Sequence, residues 1–294
     1  ASDVYKRQEI CSGIAQKNKK GKEQEQEEIV IPEEETLPEK EFNVEIGRCM
    51  LRILPIKKSE PVGDRIIHFM DAFLAHASEK DNELFASSAD DEYEMQTSPE
   101  TPTSRLTSSL VALMVPLLGA KDKMIRFRAT QIVAHIVNTL ESIDDELYHT
   151  IQQGLLKRIR DKESSVRVQA VLGLARLAGN DEEEDGNGDS STALLEKLIE
   201  IMQNDTSADV RKNLLANLPL APVTLPYLLE RARDLDAATR RTLYSRLLPT
   251  LGDFRHLSLS MREKLLRWGL RDRDESVRKA TGKLFCDRWV EDCA

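Results

Sequence analysis

The chain has 294 residues, 51 acidic against 42 basic for a formal charge of −9, with 32% charged and only 5% aromatic side chains; this is the balance of long helical arrays and argues against an all-β chain. No apolar run reaches the roughly eighteen residues that cross a bilayer, and the N-terminus lacks a signal-peptide core. Cys11, Cys49, Cys286 and Cys293 form no C-x-x-C pair and have no histidine at metal-ligand spacing, so reduced thiols in a reducing compartment are expected, with no metal site and no cofactor.

In chain order, residues 1–42 read as a disordered tail. Its first eight, "ASDVYKRQ", resemble adapter-derived sequence, and the remainder is rich in Lys, Glu and Gln with Pro32 and Pro38 and too little apolar content to fold alone. Residues 43–78 read as a first helical pair, the second helix opening on proline near its first turn in "PVGDRIIHFMDAFLAHA". His68 and His76 stand eight apart on that helix, too far for a shared ligand, and are read as partly buried ring contacts.

Residues 79–104 combine acidity with Ser, Thr and Pro and read as a mobile linker. Within it Ser98-Pro99 and Thr101-Pro102 are candidate sites for a proline-directed kinase, and each phosphate would add roughly −1.5 to −2 charge. Such a segment tethered beside a basic surface is expected to compete with other polyanions.

From residue 105 to 294 the pattern is repetitive. "RDKESSVRVQA" at 160–170 returns as "RDRDESVRKAT" at 271–281. An Asp, five residues and an Arg recur at Asp161 to Arg167, Asp205 to Arg211, Asp234 to Arg240 and Asp272 to Arg278, with a looser copy at Arg126. The arginines step by 41, 44, 29 and 38 residues, the range of a two-helix repeat. Apolar residues spaced at three and four follow each arginine, as at Val168, Val171, Leu174, Ala175 and Leu177. A helix with Leu147, Ile151, Leu155 and Ile159 on one stripe precedes the second cluster. Paired helices alone leave apolar faces uncovered, so neighbouring pairs must stack into an all-α solenoid. The acidic stretch "NDEEEDGNGDSS" at 180–191 reads as an insertion, and the last helix, still apolar at Leu284, Phe285 and Trp289, suggests a C-terminally truncated fragment of a longer protein.

The spacing assigns the repeated cluster a structural role. The Asp accepts from backbone N–H groups at the next helix start, while the Arg bridges to an acidic residue of the adjacent repeat.

Charge is unevenly distributed. Residues 1–42, 79–104 and 181–189 hold 25 acidic and 8 basic side chains, which leaves 34 basic against 26 acidic in the periodic parts. The surplus gathers at turns, at Lys57 and Lys58, at Lys121, Lys123 and Arg128, and at Lys157, Arg158, Arg160 and Lys162. A row of turn cations suits a phosphate backbone, bound without sequence preference and with steep salt dependence; solvated helix ends would carry the same residues for dipole reasons. No P-loop, G-x-S-x-G or H-E-x-x-H is present, and no enzymatic activity is expected.

The stretches "IRFRATQIVAHIV" at 125–137, "IDDELYHTIQQGLLKRIRDKESSVRVQAVLGLARL" at 143–177, "NDTSADVRKNLLANL" at 204–218, "TLPYLLERARDLDAATRRTLYSRLL" at 224–248 and "LRDRDESVRKA" at 270–280 resemble the HEAT-repeat condensin CAP-G family, subunit 3 in fungal nomenclature. The likeness covers about 105–290, more weakly 43–78. It implies a non-enzymatic subunit clasped by the kleisin, linked through it to the SMC ATPase subunits, and holding double-stranded DNA during mitotic chromosome condensation. It further implies a place in the nucleus and on mitotic chromosomes with a cytoplasmic pool, and no membrane or small-molecule substrate. The alternative is a HEAT scaffold of the transport-receptor or phosphatase-scaffold type that binds protein alone.

Overall fold

The computed structural model describes residues 36–88, 101–139, 145–180 and 189–291, which are helices and connecting turns without a strand. The tail to residue 35, residues 89–100 with Ser98, and residues 181–188 of the acidic insertion lie outside the described residues.

Twelve principal helices alternate with short turns: α1 Leu37–Ile53, α2 Pro61–Ser88, α3 Pro102–Met114, α4 Lys123–Thr139, α5 Asp145–Arg158, α6 Ser164–Asn180, α7 Asp189–Asn204, α8 Ala208–Asn217, α9 Leu225–Glu230, α10 Ala237–Thr242, α11 Leu259–Leu270 and α12 Glu275–Leu284. Their starts follow capping chemistry. Thr101 Oγ1 accepts from the Ser104 N–H, Asp236 from Thr239, Ser258 from Met261 and Asp274 from Ser276. Two π segments, Leu243–Leu247 and Phe285–Val290, continue α10 and α12.

Successive helices pair, and the even-numbered ones stack in a continuous layer: α4 on α6, α6 on α8, α8 on α10 and α10 on α12, with α2 against α4 at the start. One apolar core runs the length of the array, from Ile53 and Leu74 through Val133, Leu155, Leu174, Leu198 and Leu214 to Leu265 and Val277. Stacked pairs of this kind make the chain a HEAT-type α-solenoid, each repeat burying its faces against its neighbours. No helix among the described residues is long and apolar enough to cross a membrane.

Two helix boundaries differ most from the sequence reading. α1 begins within the stretch assigned to the tail, and α2 runs to Ser88, well into the stretch assigned to the linker. Tertiary contacts explain both. Glu39, only 9% exposed, accepts from Arg105 Nε and Nη2 at 2.9 and 3.0 Å, and Asp81 Oδ2 accepts from the Thr103 N–H at 3.2 Å. Polar residues with good helix propensity stay helical when a neighbouring helix supplies partners.

His68 and His76 are exposed rather than partly buried. His68 does meet a ring, His135 of α4, edge to face with centroids 5.4 Å apart.

Candidate nucleic-acid interface

Each repeat turn is tied to the next by one arginine. Arg126 donates to Asp161, Arg167 to Asp205, Arg211 to Asp234 and Arg240 to Asp272, in every case with Nε and Nη2 aimed at the two carboxylate oxygens. The third nitrogen, Nη1, turns back onto its own turn: Arg167 to the Asp161 carbonyl at 2.9 Å, Arg211 to that of Asp205 at 2.7 Å, and Arg240 to that of Asp234 at 2.8 Å. The aspartates also accept the backbone N–H two residues on, at Glu163, Ser207, Asp236 and Asp274. Arg278 ends the series, bonded among the described residues to the carbonyls of Asp272 and Arg273. Bidentate guanidinium–carboxylate pairs are geometrically demanding, so they fix the rise from one repeat to the next.

Electrostatics follow that geometry. The hydrogen bond from Arg240 holds the Asp272 carboxyl below its ordinary range. Burial works to raise Asp161 and Asp234, but bonds from Arg126 and Arg211 and from the turn N–H groups outweigh it and lower both. The guanidiniums of Arg167, Arg211 and Arg240 are raised by their aspartates.

Two of the nine cations assigned to phosphate contact are taken by the fold. Arg128 is 0% exposed. It is ion-paired with Asp64, donates to Gln131 Oε1 at 2.8 Å, and reaches the carbonyls of Ile56 and Lys57 at 3.1 and 3.0 Å. Its charge is spent joining α4 to the α1–α2 turn, because the even layer presses that face of α4 onto α2. Arg158 shares Asp161 with Arg126, at 3.1 Å, and is largely covered.

The remaining seven, Lys57, Lys58, Lys121, Lys123, Lys157, Arg160 and Lys162, are exposed. They occupy three consecutive turns, and the arginine bonds hold those turns side by side: Arg128 grips the Lys57 carbonyl, and Arg126 spans the Lys121 carbonyl and Asp161. Lys123 lies 3.9 Å from Glu163. The fourth turn, "NDTSAD" at 204–209, contributes no cation. Thr101, the second candidate phosphorylation site, is the N-cap of α3, its hydroxyl 3.0 Å from the Ser104 nitrogen.

Sequence reasoning passed over a second cationic surface. Lys212, Arg241 and Arg246, with Asn213, Thr242 and Ser245, line a groove of about 590 Å³ between α8 and α10. Its signal was a cation directly after two successive ladder arginines, Lys212 after Arg211 and Arg241 after Arg240.

No protein-family model matches the chain. It is 38% identical over 250 residues, 85% of its length, to Condensin complex subunit 3 of Schizosaccharomyces pombe, and 33% identical over 255 residues to that of Saccharomyces cerevisiae. The matched stretches are 26% and 24% of those relatives, so the chain spans about a quarter of their length. Among solved structures, the S. pombe condensin Cnd3-Cnd2 subcomplex matches with a TM-score of 0.70 at 37% identity, covering 86% of this chain and 29% of that one.

Proposed function

The chain belongs to the condensin subunit 3 family, and from that premise we propose that it serves, within a non-SMC HEAT-repeat subunit, to bind the kleisin and to hold double-stranded DNA along its turn edge. The solved relative is a complex of a subunit-3 chain with a second condensin subunit, which supports the kleisin part of the reading. The observation that carries the DNA part is the alignment of exposed cations in three adjacent turns, on a scaffold whose ladder arginines Arg126, Arg167, Arg211 and Arg240 are consumed in ion pairs. Among the described residues no carboxylate pairs with Lys57, Lys58, Lys121, Lys157, Arg160 or Lys162 within 4.0 Å. Charges left to solvent are the ones that release counterions when they meet phosphate. Binding of this kind positions a duplex without reading its bases. The subunit then acts by placing DNA, while ATP chemistry belongs to the SMC partners, and its site of action is the chromosome.

The test replaces Lys121, Lys157, Arg160 and Lys162 by Gln, leaving Arg158 and Arg128 in place. Affinity for duplexes of unrelated sequence should fall equally, and the slope of log K against log salt should flatten by about 1 for each phosphate no longer neutralised. A folded variant with unchanged affinity and slope would remove the turn edge from the DNA path. Weak, salt-insensitive binding by the parent would favour a scaffold that binds protein alone.

A further inference from the structure

The fold brings together three metal-competent side chains that the sequence keeps 67 residues apart. His68 and Asp71 lie one turn apart on α2, and His135 faces them from α4. Asp71 Oδ2 is 2.5 Å from His135 Nδ1 and 3.7 Å from His68 Nδ1, and one ligand atom from each residue lies within 4.8 Å of the others. The second carboxylate oxygen, Asp71 Oδ1, is buried and has no hydrogen-bond partner among the described residues. An ionised carboxylate that leaves one buried oxygen unused calls for a cation or a donor within reach.

Two imidazoles and one carboxylate form the donor set of a divalent site with solvent completing the shell. Bonds of about 2.0–2.2 Å place ligand atoms roughly 3.4 Å apart in a tetrahedron, and the three atoms here span that spacing on either side. Asp71 and His135 are the less exposed members, at 21% and 24%, while His68, at 70%, has room to swing inward. Arg128, buried on α4, is ion-paired with Asp64, one turn before His68 on α2.

We propose that His68, Asp71 and His135 bind one divalent transition-metal ion of the zinc class, with water as the remaining ligand, and that the ion clips α2 to α4. Both helices belong to the even layer that carries the repeat stack, so the clip would fasten the first repeat to the second.

The test uses the full chain, free of any affinity tag, stripped with chelator, and carrying Ser at all four cysteines so that thiolates do not compete. Zn²⁺ is titrated calorimetrically and Co²⁺ by its visible absorption. One equivalent should bind and raise the melting temperature. His68→Ala, at an exposed position that leaves folding intact, and Asp71→Asn should each weaken binding by at least about tenfold, while His76→Ala, on the same helix two turns on, should not. Binding that survives His68→Ala and Asp71→Asn, or no binding by the parent, overturns the proposal and leaves the triad as a hydrogen-bonded contact.

Discussion

Arg211 and Asp234 meet across a repeat boundary through two parallel bonds, Nε to Oδ2 at 2.8 Å and Nη2 to Oδ1 at 2.7 Å, with the Asp234 side chain 1% exposed. Removing the guanidinium strips a buried carboxylate of its bidentate partner and leaves it the longer 3.4 Å contact with Arg231. Arg211→Ala should therefore cost about 3–5 kcal/mol. Arg278, exposed and bonded among the described residues to two carbonyls, is the internal control, and Arg278→Ala should stay within about 0.5 kcal/mol. Urea melts of the two variants measure the contrast, and equal costs would remove the inter-repeat pair as the source of stability.

Acid should undo the ladder in a defined direction. Asp161, Asp234 and Asp272 are held below the ordinary aspartate value of 3.8 in the folded chain. Their contribution is complete above that value and is lost as pH falls through the lowered folded values. Arg240→Met deprives Asp272 of the bond that lowers it most, so the variant should be destabilised most at neutral pH and show a weaker stability loss on acidification below about pH 4. Denaturant midpoints recorded at neutral and acidic pH test this. A parallel offset between parent and variant at every pH would contradict it.

Arg128 should behave as a core residue and not as a DNA contact. A Cβ at Gly63 would lie 2.6 Å from its Nη2 and 2.7 Å from its Cζ, so Gly63→Ala is expected to displace the guanidinium and cost about 1–3 kcal/mol. Arg128→Ala should cost more, about 3–5 kcal/mol. DNA affinity at a temperature where both variants remain folded should match the parent, and a specific loss of affinity with unchanged melting would return Arg128 to the interface.

Thr101 caps α3 through its hydroxyl. Thr101→Ala should cost about 1 kcal/mol, whereas Thr101→Asp keeps an acceptor at the N-cap and adds a charge that the helix dipole favours. Thermal melts should thus rank the parent and Thr101→Asp together above Thr101→Ala. A Thr101→Ala melt equal to that of the parent would show that the cap contributes nothing.

The helical class, the two-helix period and the positions of the turns were all legible in the sequence. Each is a local or near-local property: apolar spacing of three and four reports a helix face, and an Asp-to-Arg spacing repeated along the chain reports a turn built the same way each time. The acceptor roles of Asp161, Asp205, Asp234 and Asp272 within their own turns are set by residues two to six positions away. What the tertiary structure decided is which charges are left for a partner. Arg128 and Lys123 look alike in "KDKMIRFRA". One is buried because Asp64, 64 residues earlier, neutralises it and because Gly63 leaves room for its guanidinium; the other stays in solvent. His135 joins His68 and Asp71, and Glu39 draws α1 onto Arg105, for the same reason. The free energy of burying a charge depends on partners that only the packed chain brings within reach, and no pattern local to those residues encodes it.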